Sequence, residues 1–267
     1  MISKCAETDA QAILDFIGND HCRCLYLYLD LIKYGFNTPF VSVWRQNRSD
    51  GSLAAVWLRY HSGMHVYVPH GYSDASEAAA FVRSEHPAML CGVPEALKPI
   101  EAGMAEDGYA FLGGTVCKYD HSPSDVERID VRMAESDADF SRVGELLSAD
   151  AEYGASYRPG ELASQLQERQ RLGQGRSFVV ERDGIIVAHG CSAAECERFT
   201  VLNSGVTDPN WRHKGIGARL LVTIAEEMKS TGREVYSLYY NPAAKAMHRK
   251  SGFVDCCEWG RLFLKMH

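Results

Sequence analysis

Hydrophobic and polar positions alternate in two distinct rhythms along this chain, and the second half shows them most clearly. Ile216, Leu220, Leu221, Ile224, Ala225 and Met228 recur at a 3.6-residue period, which predicts an amphipathic helix stopped by Gly232. Upstream, "RIDVRMAE" (128–135) alternates Ile129, Val131 and Met133 as a strand does. Ser136 with Asp139 reads as a capping box, and Phe140, Val143 and Leu147 then share one helical face. "RPGELASQLQERQRLG" predicts a second helix ended by Gly173. "SFVVERDGIIVAHGCSAAE" reads as two strands joined by an Asp183-Gly184 turn, and "RFTVLNSGVT" adds a third strand to that meander. After the 216–228 helix, "REVYSLYY" (233–240) is a strand. Asn241 can cap a short helix with Pro242 in its first turn, with Ala243, Ala246 and Met247 toward the core and Gly252 closing it. "FVDCCEWGRLFLKM" supplies one or two last strands. The predicted order is β-α-α-β-β-β-α-β-α-β.

The first half repeats most of that plan. "AETDAQAILDFIG" is helical. In "CRCLYLYLDLIKYGF", Leu25, Leu27, Leu29 and Leu31 alternate as in a strand, but Leu25, Leu29 and Ile32 suit a helix, which is the reading adopted. "FVSVW", "LAAVWLRY" and "MHVYV" form a meander with a turn at Asp50-Gly51. "SDASEAAAFVRS" is a helix, "AMLCG" a strand, "VPEALKPIEAG" a helix and "GYAFLGGTVCKY" a strand. The first half thus reads α-α-β-β-β-α-β-α-β, the second half's plan without its opening strand. The polar, proline-bearing "DHSPSDVE" (120–127) reads as the linker, giving domains 1–123 and 124–267. The fold class expected is α/β with a mixed sheet in each of two tandem domains.

Composition narrows the function. With 46% hydrophobic and 24% charged residues, the chain can bury an ordinary core. A net charge of −7 argues against a general nucleic-acid binder. The nine cysteines are odd in number and irregular in spacing, which points to reduced thiols rather than a disulfide framework. Neither Cys22-x-Cys24 beside His21 nor Cys256-Cys257 has zinc-site spacing, so no metal is expected. No signal-like start and no long apolar run stand out, so the expectation is a cytoplasmic protein without a membrane partner.

The stretch "DPNWRHKGIGARLLVTIAEEMKSTG" (208–232) carries the chemistry. A helix start presents unpaired N–H groups and a partial positive charge, and glycine lets a ligand approach the backbone. Arg212-x-x-Gly215-x-Gly217, with Lys214, fits a pyrophosphate cradle. A dinucleotide fingerprint would need glycine where Leu220 stands, and a P-loop pattern is absent. The six-residue pattern alone fits a plain helix start equally well.

Context distinguishes them. The order strand "VLNSGVT", loop, helix, strand, then "NPAAKAMHRKSGF", over roughly residues 128–267, resembles the GNAT acetyltransferase superfamily, and most closely its branch with an FR47-like C-terminal domain. The family's Arg/Gln-x-x-Gly-x-Gly/Ala motif falls on Arg212, Gly215 and Gly217, and its following motif on Asn241, Ala244, His248, Gly252 and Phe253. That resemblance implies acetyl-CoA as cosubstrate. Val206 and Thr207 would offer backbone groups to its acetyl and pantetheine portions, and Arg212, His213, Lys214, Gly215, Ile216, Gly217 and Ala218 would hold the pyrophosphate. Asn241 would bond the pantetheine arm or cap its helix. His248 stands where many members have a tyrosine acid, with Tyr239 and Tyr240 as alternative donors. Glu195, placed in the turn after the third strand, is the first candidate base, followed by Glu197, with Asn203 and Ser204 as polar residues on the next strand. Direct attack of an amine on the thioester is implied, so none of the cysteines is required as a nucleophile.

The first half's equivalent loop, "VPHGYSDASEAAA", has Gly71 but neither Arg nor Lys, and it places Asp74 and Glu77 where phosphate would sit. It reads as a degenerate GNAT-like domain. "RYHSGMHVYVPHGY" gathers three histidines and three tyrosines, either as a plain hairpin surface or as an acceptor wall or subunit contact. His61, His65 and His70 lack metal-site spacing. The expected function is N-acetyl transfer from acetyl-CoA to a primary amine, in the first instance of a small molecule. The alternatives are a CoA-binding protein without turnover and a transferase of another acyl or aminoacyl group. Short edge strands leave room for a homodimer.

Overall fold

The computed structural model describes residues 1–264 apart from 37, 105 and 155–159. The chain divides into two compact units: Met1–Val116 together with the segment from Cys256 onward, and Cys117–Asp255.

The first unit opens with β1 (Ile2–Lys4), α1 (Ala10–Ile17) and α2 (Leu25–Tyr34). A meander follows: β2 (Val41–Asn47), β3 (Leu53–Tyr60) and β4 (Gly63–Tyr67). Then come α3 (Ala75–Glu85), β5 (Met89–Gly92), α4 (Pro94–Gly103) and most of β6 (Tyr109–Tyr119). The end of β12 (Phe253–Leu264) completes its sheet, ordered β1-β2-β3-β4-β5-β12, with β4 and β5 parallel. The second unit comprises β7 (Arg132–Met133), α5 (Asp137–Ser148), α6 (Ala151–Gly154) and α7 (Glu161–Arg171). Its meander is β8 (Arg176–Arg182), β9 (Ile185–Glu195) and β10 (Phe199–Thr207). It ends with α8 (Ile216–Ser230), β11 (Glu234–Tyr239) and α9 (Pro242–Lys250). Its sheet runs β6-β11-β10-β9-β8-β7, with β10 and β11 parallel.

Several elements differ from the expectation. The first half does have an opening strand: Ile2–Lys4 pair antiparallel with Trp44–Gln46. Three residues are too few to display an alternation, so tertiary pairing alone reveals it. Both halves therefore share one plan. The second half's own opening strand shrinks to Arg132–Met133, because Ile129 and Val131 pack into the α8 core instead and the Ile129 N–H bonds Thr223 Oγ1 at 3.0 Å. Residues 25–34 do form a helix, buried at Leu25, Leu27, Leu29 and Leu31, yet Ile32 is 44% exposed. A helix covered on most sides satisfies both rhythms at once, which is why the sequence was ambiguous there. On α9 the core side is Ala244, Met247 and His248; Ala243 and Ala246 face solvent. The last strand is a single long one. The predicted helix beginning at "RPG" starts at Glu161, and its Arg158 and Pro159 lie outside the described residues.

The second unit's sheet is clothed on both faces. On one, Leu220, Ile224 and Met228 of α8 pack with Ala188, Val235 and Phe253. On the other, Phe140, Val143, Leu147, Leu162 and Leu166 pack with Val179, Cys191 and Val206. Gly190 lets α8 approach closely, since a Cβ there would lie 3.1 Å from Ile224 Cδ1. Each such buried aliphatic side chain contributes about 1.5–3 kcal/mol of burial free energy.

Candidate functional site

The site grows from the place where β10 and β11 part. Their parallel register runs from Phe199↔Glu234 to Leu202↔Ser237 and stops, although β10 continues to Thr207 and β11 to Tyr239. On its other side β10 stays paired with β9, but irregularly: Asn203 opposes Cys191 and Val206 opposes His189. One extra residue is thus inserted in β10, a bulge that bends the strand. Ser204 adopts φ +53°, a left-handed conformation that disfavours any residue with a Cβ. The two parallel strands therefore open as a fork beyond Leu202 and Ser237.

The fork leads into the loop before α8. Asp208 caps a short turn at Pro209–Trp211 and pairs with Arg142 at 2.6 Å. His213 and Gly215 both take left-handed φ, +62° and +76°. Gly215 is the N-cap of α8 and brings no side chain to cap it, so the first-turn amides face the loop without a built-in anion. Gly217 is required for space: a Cβ there would lie 3.2 Å from Met247 Sδ and 3.4 Å from Thr207 Oγ1. Ile216 and Ala218 are buried and root the helix start in the core. Arg212 and Lys214 are exposed at the loop. Arg212 Nε donates to Thr207 C=O at 3.0 Å, with its guanidinium 3.6 Å from Asp150, and Lys214 Nζ lies 4.4 Å from the Trp211 ring centre. Beside this helix start, Asp125, Glu127, Gly215, Ala218, Arg219 and Lys250 line a groove of about 320 Å³.

On the β11 side, Asn241 caps α9 by accepting the Ala244 N–H at 2.8 Å. Its side-chain oxygen thus holds the helix. Two turns later, His248 is 5% exposed and reaches the root of the fork. Its Nδ1 lies 2.7 Å from Ala244 C=O and its Nε2 lies 2.8 Å from Ser237 Oγ. A carbonyl only accepts, so Nδ1 carries the hydrogen and Nε2 presents its lone pair to Ser237 in the neutral ring. Burial pushes the His248 pKa down and favours that neutral form. Ser237 Oγ also lies 3.1 Å from Leu202 C=O, across the last paired rung of the fork, so its single hydrogen is shared between that carbonyl and His248 Nε2. Ser237 went unnoticed in the sequence. Its signal is a small hydroxyl at an inward strand position between Val235 and Tyr239, all three buried.

The expected base is elsewhere. Glu195 is the last residue of β9, not a turn residue, and opposes Thr200 at the end of β10 remote from Val206 and Thr207. Both its oxygens lie 3.0 Å from Arg176, and Arg233 and Ser192 Oγ also reach it. Burial works to raise its pKa, but the Arg176 and Ser192 bonds outweigh it and hold the carboxyl below its usual range. A general base must come within hydrogen-bond reach of the amine. Glu195 is instead an ion-pair anchor, and exposed Glu197 lies at the same remote end. Tyr239 is also committed, its hydroxyl donating to Asp255 at 2.7 Å. Asn203, by contrast, is exposed on the fork strand, and its Oδ1 accepts from Tyr153 OH at 3.2 Å. Among the described residues, no group of three or more metal-ligating side chains comes together.

The first unit's counterpart is filled. Asp74 caps α3 through the Glu77 N–H at 3.0 Å, and Glu77 in turn accepts from Ile2 N–H at 2.7 Å and Gln46 Nε2 at 2.9 Å. Burial opposes ionisation of Glu77, but these bonds prevail and keep its pKa low. In "RYHSGMHVYVPHGY", His65 is partly buried, with its Nδ1 out of reach of solvent, and stacked on Tyr26, while His61 and His70 are exposed.

Comparison with known proteins agrees with this geometry. Residues 142–253 match the model of the Acetyltransferase (GNAT) family. Curated protein sequences give no match. Among solved structures, a GCN5-related N-acetyltransferase from Sphaerobacter thermophilus is similar at TM-score 0.65 and 17% identity, covering 98% of this chain and 94% of that one. A tandem GNAT protein from the clavulanic acid biosynthesis pathway is similar at TM-score 0.58 and 15% identity, covering 98% and 97%. A GNAT-family acetyltransferase from Colwellia psychrerythraea is similar at TM-score 0.59 and 14% identity, covering 99% and 100%. Residues 142–253 thus carry the match to the GNAT acetyltransferase family model, within a chain whose fold is similar to that of tandem GNAT proteins.

Proposed function

We propose that the protein is an acetyl-CoA-dependent N-acetyltransferase acting on a primary amine of a small molecule, with the unit Cys117–Asp255 catalytic and the other unit, built on Met1–Val116, a copy that binds no cofactor. The observation that carries this reading is the fork of β10 and β11 opening onto a helix start whose cap is Gly215. The residues fit the cosubstrate. Amides of Gly215–Ala218 can receive the pyrophosphate, with Arg212, His213 and Lys214 around it, and Gly217 keeps Met247 and Thr207 clear of side-chain bulk. Val206 and Thr207 border the open side of β10, where an extended pantetheine arm can pair with backbone. Asn241 serves this arm indirectly, by fixing α9.

The amine nitrogen attacks the thioester carbon directly, the C–S bond breaks, and the thiolate takes up a proton. Ser237 and His248 are the exchangeable pair at the root of the fork. With the Nδ1 hydrogen committed to Ala244, Nε2 of the neutral ring can only accept from Ser237, so it must first take up, through Ser237, the proton the amine loses before returning that proton by the same route to the thiolate. The acid role assigned to His248 is thus exercised through Ser237. A lysine-like amine has a reference pKa of about 10.4, so attack also needs its proton removed. Asn203, at the exposed side of the fork, is placed to hold a water for that step. The rival reading, CoA binding without turnover, is favoured by the burial of His248 where a tyrosine is usual.

Release of free CoA in the presence of a panel of small amines decides between them. Turnover that falls about 10²-fold or more in both His248→Phe and Ser237→Ala supports the relay. Acetyl-CoA binding with no turnover on any amine in the wild type supports the rival reading.

A further inference from the structure

His189 is wholly buried at 0% exposure, and no reacting group described so far uses it. Its Nδ1 lies 2.9 Å from Ser204 C=O. The carbonyl accepts, so Nδ1 carries the hydrogen, and Nε2 is left as a bare acceptor without a partner. Burial pushes this imidazole down to about 4, so it stays neutral and keeps that tautomer. An apolar side chain of similar size would fill the space without a stranded nitrogen. What the imidazole specifically adds is the bond to Ser204.

That bond falls on the bulge. Between Asn203 and Val206, β10 holds one residue more than β9, and Ser204 sits at φ +53° although glycine follows it. A residue held in that conformation needs an outside restraint. Along β9, Gly190 faces α8 and Cys191 the α5–α7 core, so alternation puts His189 on the α5–α7 side. The peptide plane makes the consequence definite. In a trans peptide, C=O and the next N–H point in opposite directions. Anchoring the Ser204 carbonyl toward His189 therefore aims the Gly205 N–H away from it. Gly205 is exposed, and nothing lies within 4 Å of where its Cβ would be.

We propose that His189 is a positioning residue, which clamps the Ser204 carbonyl so that the Gly205 N–H is aimed at the thioester oxygen as it becomes an oxyanion. The inference rests on the acetyltransferase reading. A pre-aimed donor is worth far more in the transition state than in the bound substrate, so its loss shows in kcat before it shows in binding.

The test compares His189→Leu, which has no donor, with His189→Asn, whose Nδ2–H can occupy the place of Nδ1–H. Acetyl transfer, acetyl-CoA affinity and the thermal midpoint are measured on each. The expected result is a kcat about 10²-fold lower in His189→Leu, with affinity within a few-fold of wild type and an unchanged or higher midpoint. His189→Asn restores most of kcat. Wild-type kcat in His189→Leu, or an Asn variant no better than Leu, overturns the clamp. The Gly205 amide resonance supplies a readout without turnover. The clamp predicts that it shifts and exchanges faster in His189→Leu and stays near wild type in His189→Asn. An unmoved resonance in both variants overturns the clamp even if no acceptor is found. Failure of wild type to bind acetyl-CoA sinks the functional reading separately.

Discussion

The two units use one order of elements and differ at the same two places. In the second, β10 carries a bulge and runs past its last rung with β11, and the helix that follows starts at a bare glycine. In the first, β4 pairs with β3 without a register shift. Gly92, at the end of β5, lies so close to β4 that a Cβ on it would be 2.9 Å from Val66 Cγ1 and 3.0 Å from the Val66 carbonyl. Those strand ends stay together, and the helix that follows is capped by Asp74 with Glu77 tied to Ile2 and Gln46. A carboxylate occupies the electrostatic niche of a helix N-terminus as a phosphate would. On the proposed reading, the contrast teaches that a fold can be kept while a binding site is closed, by packing two strand ends and supplying the helix start with its own anion.

The largest effect expected to erase the contrast is from Gly217→Leu. The added side chain meets Met247 and Thr207 and fills the loop, and acetyl-CoA affinity should fall by about a hundredfold or more, equivalent to the loss of one or two charge-assisted bonds. Calorimetry checks it, and near-normal affinity would detach the loop from the cosubstrate.

Acid should act on both units alike. His65 in the first, partly buried, and His189 in the second, fully buried, are both pushed by desolvation from 6.5 to about 4. Between those values the unfolded chain binds more protons than the native one, so stability rises with pH through that window and is lost as pH falls. Each histidine accounts for about 3 kcal/mol across it. Denaturant titrations at pH 7 and pH 4.5 should show the drop, and replacing either residue with phenylalanine should reduce it. A flat profile would mean that neither ring is sealed from water in solution.

A smaller effect separates the two helix caps. Asn241→Ala and Asp74→Ala each remove a side-chain cap and should cost about 1 kcal/mol in unfolding experiments. Only Asn241→Ala should also weaken acetyl-CoA binding, by loosening α9. Equal binding in the two variants would confine Asn241 to stability.

The parts legible in the sequence were those with a local periodic or turn signal. The α8 stripe, both meanders, the Gly215 and Gly217 pair and the Asp74 and Glu77 substitution could all be read from neighbours in the chain. Glu195 was misplaced because its partners, Arg176 and Arg233, are distant in sequence, and without them a carboxylate near a strand end looks available. Ser237 and His189 escaped notice for the opposite reason. Each looks like an ordinary inward strand residue until the bulge and the fork, which are properties of strand pairing, bring it against a backbone carbonyl. Strand β1 was invisible because pairing, not composition, makes it a strand.

The central claim is that one unit binds and the other does not. Titrating acetyl-CoA into the wild-type protein and into an Arg212→Ala, Lys214→Ala double variant tests it most directly. The account predicts one site per chain in the wild type and a collapse of binding in the variant. Two sites per chain, or binding that survives both substitutions, would contradict it.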